Sequence, residues 1–383
     1  MQAMNGSAVS FRSKGRLFGC LMVLVLALSA IVLAPGVANA QEPATTTYLA
    51  LGDSISFGYT QERFNNHYPT ESPSFFEEGV ANDFTKDLKK SAEIGKSIRL
   101  VNDACPGETS NGLIGENEEL GGKTSTESIS EVEAPHGYQG LGDYHPCKYT
   151  FESHLPLHNG GYYNPETRAE VSQLEEAIAT VTASKSPVKA ITLNIGSNDE
   201  LAAITQCEDE VGYEYATESK SKYGKTPEEA ATNCIVITSI NVTTPHIVKN
   251  LNDILGVLDH EGYTGPIVLV GFYNPQAFVL PGSDPLQESV NHAVETEVVP
   301  NFPNVTYANP FPVFNKGSGT NPTQEQAAIC KYTEMCNPNV QAKEGKPEGK
   351  DGDIHPTLAG YKELAKLVNA AFIANPASEG GTN

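Results

Sequence analysis

From residue 45 onward, short apolar runs alternate with segments whose apolar residues recur every three or four positions. The short runs are Thr46–Leu51, Ile98–Asn102, Val188–Ile195, Ile267–Val270 and Val305–Ala308. Each reads as a buried strand. The periodic segments read as helices. Val171, Leu174, Ile178 and Val181 share one helical face behind an Asn164-Pro165 start signal. Ile247, Leu251, Ile254, Leu255 and Leu258 share another, opened by Thr244-Pro245. Further helices are expected near Gln287–Val299 and from about Pro356 to Phe372. Strands alternating with helices imply a parallel sheet covered on both faces. The ligand crevice of such a sheet lies beyond the carboxyl ends of its strands, so functional residues are expected just after strands.

The first forty residues follow a different pattern. Arg12, Lys14 and Arg16 precede an apolar run from Leu17 to Ala34, and Ala38-Asn39-Ala40 supplies a small-x-small cleavage pattern. The segment reads as a signal peptide cleaved after Ala40, with an uncleaved membrane anchor as the alternative. Residues 41–375 then form the folded domain, and 376–383 a disordered tail. The expected product is secreted, is not inserted in a membrane and is monomeric. The chain carries a formal charge of −22. The leader holds three basic residues and no acidic ones, so its removal takes the charge to −25. A chain this acidic repels nucleic acid phosphates, which excludes a nucleic-acid partner.

Three long excursions interrupt the pattern, near Gly115–Gly161, Glu200–Val242 and Phe311–Gly352. Glu116–Glu119 within the first reads as a solvated, charge-dense loop. Six cysteines follow the leader: Cys105, Cys147, Cys207, Cys234, Cys330 and Cys336. An even count in an exported chain points to three disulfides that staple these excursions. Pairing of sequence neighbours, Cys105–Cys147, Cys207–Cys234 and Cys330–Cys336, is the expected arrangement among those the count allows. No C-x-x-C pair occurs, and Pro156 lies between His154 and His158, so neither metal nor cofactor is expected.

Four segments fall where chemistry is expected. Gly52-Asp53-Ser54-Ile55-Ser56 follows the first strand, and Cys105-Pro106-Gly107-Glu108-Thr109-Ser110 the second. Gly196-Ser197-Asn198-Asp199 follows the third, and Asp353-Ile354-His355-Pro356-Thr357 opens the last helix. Each alone has an ordinary explanation. Ser54 fits a helix cap, Gly107 a turn, Asn198-Asp199 a strand-to-helix loop and His355 a cap beside Pro356. Their order, each at a strand or helix end, is the stronger signal. The first segment lacks the last glycine of a G-x-S-x-G elbow. Gly121-Gly122-Lys123-Thr124 lacks the glycine and the preceding strand of a phosphate-binding loop.

In that order the segments resemble the conserved blocks of the SGNH, or GDSL, hydrolases. The resemblance spans residues 46–372 and is greatest toward secreted actinobacterial esterases and lipases that carry three disulfides. It implies an α/β/α sandwich with a flavodoxin-like parallel sheet of about five strands. It also implies that Ser54 is a nucleophile, that His355 is its base, and that Ser54 N–H, Gly107 N–H and the Asn198 amide form an oxyanion hole. A serine hydroxyl needs a base to become nucleophilic, and an imidazole titrates near neutral pH. The expected substrate is a small-molecule or lipid carboxylic ester. Alternatives are polysaccharide O-deacetylation on the same fold and a non-catalytic secreted binding protein. Many members place Asp three residues before the histidine, where this chain has Gly352, flanked by Asp351 and Asp353. Some relatives use a main-chain carbonyl there. The Gly352 carbonyl is therefore the expected partner of His355, with Asp353 and Asp351 as alternatives.

Overall fold

A computed structural model describes residues 45–67, 73–91, 94–114, 116–117, 123–124, 172–183, 187–277, 280, 282–338 and 352–378. The five apolar runs are strands: β1 Thr46–Gly52, β2 Ile98–Asn102, β3 Val188–Asn194, β4 Ile267–Val270 and β5 Val305–Ala308. All pair in parallel, in the order β2-β1-β3-β4-β5, which is the flavodoxin-like arrangement. The order reverses between β1 and β3, and the crevice of such a sheet opens at that reversal.

The helices that matter to the site are α1 Ser54–Phe57, α2 Val80–Leu88, α3 Ser110–Ile114, α4 Gln173–Thr182, α5 Ser197–Glu218, α6 Pro227–Thr238, α7 Thr244–His260, α8 Asp284–Ala293, α9 Pro322–Tyr332 and α10 Leu358–Ala374. Strand side chains alternate faces, and the two cores follow that alternation. Leu49, Leu51, Ile191, Leu193, Ile267 and Leu269 pack with α4, α7 and α8. Tyr48, Ala50, Ala190, Val268, Val270 and Ala308 pack on the other side with α2 and α10. The result is three layers, as the strand–helix alternation implies. Among the described residues no helix is long and apolar enough to cross a membrane.

Several boundaries differ from expectation. The second excursion is not a loop: α5 and α6 occupy most of it as a helical pair joined by Cys207–Cys234. Thr226 caps α6 through its hydroxyl, with Pro227 at the first position and Glu228 and Glu229 in the first turn. This start signal is of the same kind as Thr244-Pro245. Part of the third excursion is likewise helical, with Asn321 capping α9 ahead of Pro322. α8 begins at Asp284, earlier than its apolar spacing suggests, and continues as a π-helical turn over Val294–Val298. α4 starts at a Ser172–Glu175 capping box, while the Asn164-Pro165 signal lies outside the described residues. Order extends into the expected tail, where Pro376–Ser378 form a 3-10 turn tied to the buried Asn375; residues 379–383 lie outside the description, as does the leader.

Two of the expected disulfides, Cys207–Cys234 and Cys330–Cys336, are among the described residues. Cys105 is disulfide-bonded, and Cys147, its expected partner, lies outside them.

Candidate active site

β1 delivers the chain to α1 through Gly52 and Asp53. Gly52 has φ +128°, and a Cβ there would come within 1.9 Å of the Asn194 carbonyl oxygen. Only glycine lets this strand end lie so close to β3. Asp53 caps α1, its Oδ1 accepting the Ile55 N–H at 2.9 Å. The capping role that Ser54 could have filled therefore falls to its neighbour. The Ser54 hydroxyl instead meets His355 Nε2 at 2.9 Å, across 301 positions of sequence. As the first residue of α1, Ser54 has an N–H with no acceptor inside the helix.

The loop after β2 runs beside this turn. Cys105 N–H donates to the Gly52 carbonyl at 2.8 Å. The Gln173 amide grips the same residue, accepting from Gly52 N–H and donating to its carbonyl at 3.0 Å. Gly107, with φ +84°, follows in that loop. Asn198 Nδ2 donates to the Glu108 carbonyl at 2.8 Å, which ties the start of α5 to the Gly107 turn. An amide nitrogen has a second hydrogen to offer. Asp199 strengthens the same junction by accepting Ser110 N–H at 2.9 Å and Ser110 Oγ–H at 2.6 Å. Asn250 of α7 donates to Ser110 Oγ at 2.8 Å from behind. All four sequence segments thus converge at the carboxyl ends of β1 and β3.

The partner of His355 differs from expectation. His355 Nδ1 lies 2.5 Å from Asp353 Oδ1, not against the Gly352 carbonyl. The reason is local. Asp353 Oδ1 also accepts the His355 backbone N–H at 3.1 Å, an Asx-type turn that folds the carboxylate back over the residue two positions on. The other oxygen, Oδ2, accepts the Gln61 N–H at 2.8 Å. Gly352 is glycine for another reason: its φ is +68°, and a Cβ would meet the Met335 carbonyl oxygen at 2.2 Å. An aspartate is excluded at that place. Asp351 lies outside the described residues. The turn at Met335, closed by Cys330–Cys336, also braces the His355 loop through Glu334 N–H to the His355 carbonyl at 2.9 Å and Thr357 N–H to the Tyr332 carbonyl at 2.9 Å.

The carboxyl groups differ in charge. For Asp353, burial pushes the carboxyl up, but His355 and the N–H donors of Gln61 and His355 outweigh it and leave it below its ordinary value. Burial pushes Asp53 up to about 7, against the Ile55 hydrogen bond and His355 that favour its charge. Glu108 is pushed well above its ordinary value by burial and by nearby Asp199 and Asp53. Burial also raises Asp199, against its two bonds from Ser110. Asp353 is thus shifted toward its charged form beside the histidine, and its buried neighbours toward their neutral forms. Glu108 and Gln173 carried no signal in the sequence, because their roles come from burial and from a contact 121 residues apart.

Such an arrangement can move the Ser54 proton to Nε2 while Asp353 holds the ring by Nδ1–H and stabilises the imidazolium.

Among solved structures, a lipase from a goat-rumen metagenome is similar at 15% identity, covering 85% of this chain and 97% of its own, with TM-score 0.40. A family 2 carbohydrate esterase from Corynascus is similar at 12% identity, covering 88% of this chain and 68% of its own, with TM-score 0.41. An acetyl xylan esterase from Butyrivibrio proteoclasticus is similar at 15% identity, covering 86% and 64%, with TM-score 0.37. No curated protein matches the chain. The family model for GDSL-like lipases and acylhydrolases matches residues 48–368, which span both ends of the sheet and all four converging segments. By that match the chain belongs to the GDSL-like lipase/acylhydrolase family.

Proposed function

We propose that the chain is a serine esterase that cleaves carboxylic esters through an acyl-enzyme on Ser54. The observation that carries this reading is the continuous relay from Ser54 Oγ to His355 Nε2 and from His355 Nδ1 to Asp353, each step 2.9 Å or shorter. Ser54 Oγ attacks the ester carbonyl as His355 takes its proton. The negative oxygen that forms is met by Ser54 N–H, Gly107 N–H and the second Asn198 amide hydrogen. His355 then gives its proton to the departing alcohol, and a water deprotonated by the same ring releases the acid. An intact relay favours turnover over a purely binding role. The two described disulfides and the leader-like start favour export to an oxidising compartment.

The test uses the purified protein, a chromogenic short-chain ester and a serine-directed phosphonate. The expected result is turnover and labelling at Ser54, both lost in Ser54→Ala. Substantial turnover remaining in Ser54→Ala would sink the mechanism.

A further inference from the structure

A cleft opens directly beside the relay. Three residues of its lining are immediate sequence neighbours of the three site residues: Ile55 follows Ser54, Ser197 precedes Asn198 and Ile354 precedes His355. From there it extends along α5, whose Ser197, Glu200, Leu201 and Ile204 share one helical face at i, i+3, i+4 and i+7. Ile235 of α6 and Leu286 of α8 continue the same wall. Phe272 and Tyr273, after β4, line the cleft as well. The deep lining is mainly apolar, with Phe272, Ile235 and Ile55 at 4%, 6% and 8% exposure beside the equally buried Ser239 and Asn274, the Asn274 amide nitrogen already donating to Ser283 Oγ and Asp284 Oδ1. One lining carboxyl, Glu200, is engaged by the protein itself: Gln287 Nε2 donates to both of its oxygens, at 3.3 and 3.1 Å. The cavity volume is about 90 Å³, where a single water-sized group needs only about 10–15 Å³, so there is room beyond one methyl.

We propose that this cleft holds the acyl chain of the ester, and that the chain selects medium or long acyl groups over acetyl. The inference rests on the serine-esterase reading above and names its substrate class. The side of the site decides between acyl and alcohol. His355 protonates the departing alcohol, so the alcohol lies on the histidine side. The long walls of the cleft belong to α5, α6 and α8, and α5 starts at the oxyanion side with Asn198. An alkyl chain entering there leaves water for an apolar wall, and each methylene adds affinity until the cleft is full. A polysaccharide O-deacetylase would instead need room for a sugar and polar groups free to bind it, whereas Glu200 and Gln287 already satisfy each other.

The experiment measures kcat/KM of the wild-type protein on p-nitrophenyl esters from acetate to decanoate, and on octanoate esters of alcohols of increasing length. The acyl series is expected to rise about fourfold per added CH2 over its first members, and the alcohol series to stay flat. Leu201→Trp and Ile204→Trp should each lower the octanoate-to-acetate ratio by at least about tenfold, the effect of a few lost methylene contacts. A flat or falling acyl series in an active wild type overturns the proposal. So does a preference that follows the alcohol, or an unchanged ratio in both variants with native-like melting. If the tryptophan variants do not fold, wild-type rates of Ser54 labelling by methyl- and octylphosphonates decide the matter, faster octyl labelling being expected and equal or slower labelling overturning the proposal. A wild type that turns over no ester and is not labelled fails the esterase reading itself, a result distinct from any of these.

Discussion

Asp353 holds His355 twice through one oxygen, Oδ1 accepting from the backbone N–H at 3.1 Å and lying 2.5 Å from Nδ1. The same turn therefore fixes the main chain and the ring. Asp353→Asn should lower kcat by about 10⁴-fold with little change in KM, as loss of a triad acid does. Asp351→Asn should be close to wild type. Steady-state kinetics on a chromogenic ester, with circular dichroism to check folding, makes the test. Near-wild-type turnover in Asp353→Asn would return the orienting role to a carbonyl.

Asn198→Ala should reduce kcat by about 10²- to 10³-fold, the usual effect of deleting one oxyanion donor. The same amide nitrogen also binds the Glu108 carbonyl, so some loss of melting temperature is expected as well. A change in KM alone would move Asn198 from transition-state stabilisation to substrate binding.

Stability should fall as pH rises from about 4 to about 7. Asp53 is raised from its ordinary 3.8 to about 7 by burial. Between those values the folded state keeps a proton that the unfolded chain has released, so stability is lost as pH climbs through the folded pKa. Glu108 acts with the same sign over a range that extends higher. Asp353, which is lowered, acts with the opposite sign and only below the ordinary carboxylate range. Asparagine also caps helices, so Asp53→Asn should fold and show a shallower slope. Thermal melts of both proteins from pH 5 to 8 would test this, and identical slopes would refute it.

The two described disulfides should separate stability from activity. Cys207–Cys234 closes 27 positions and Cys330–Cys336 closes 6. Loop-closure entropy makes the first worth about 3.5 kcal/mol and the second about 2.2 kcal/mol. Yet the shorter loop holds Met335 and Glu334 against the segment carrying His355. Replacing Cys330 and Cys336 by serine should cost less melting temperature but more kcat on acetate than replacing Cys207 and Cys234. The reverse ranking in activity would show that the Met335 turn does not hold the base.

The sheet was legible because its strands are short, mostly apolar and punctuated at their ends; the segments holding Ser54, Gly107 and Asn198 stood out by their place after those ends and that of His355 by its place before the last helix, while the roles of the four follow from the family resemblance. The orienting acid was not. Asp353 reaches His355 only because its own side chain turns back, which spacing along the chain does not reveal. The α5–α6 pair was missed for a different reason. Cysteines toward both ends of the excursion are equally consistent with a stapled loop, and the Thr226-Pro227-Glu228-Glu229 start signal is followed by only a diffuse apolar face. The Gln173 grip on Gly52 joins residues 121 apart and had no local signature.

The 301 positions between Ser54 and His355 have a consequence for the order in which the protein gains its chemistry. A growing chain that has reached Met335 already carries Ser54, Gly107 and Asn198, but it lacks His355. That residue arrives with the segment leading into α10, whose Tyr361, Leu364, Val368 and Phe372 complete the second core. On the serine-esterase reading proposed above, hydrolysis then waits on the segment that brings His355. On that reading a chain that stops before His355 hydrolyses no ester even where most of its sheet has formed.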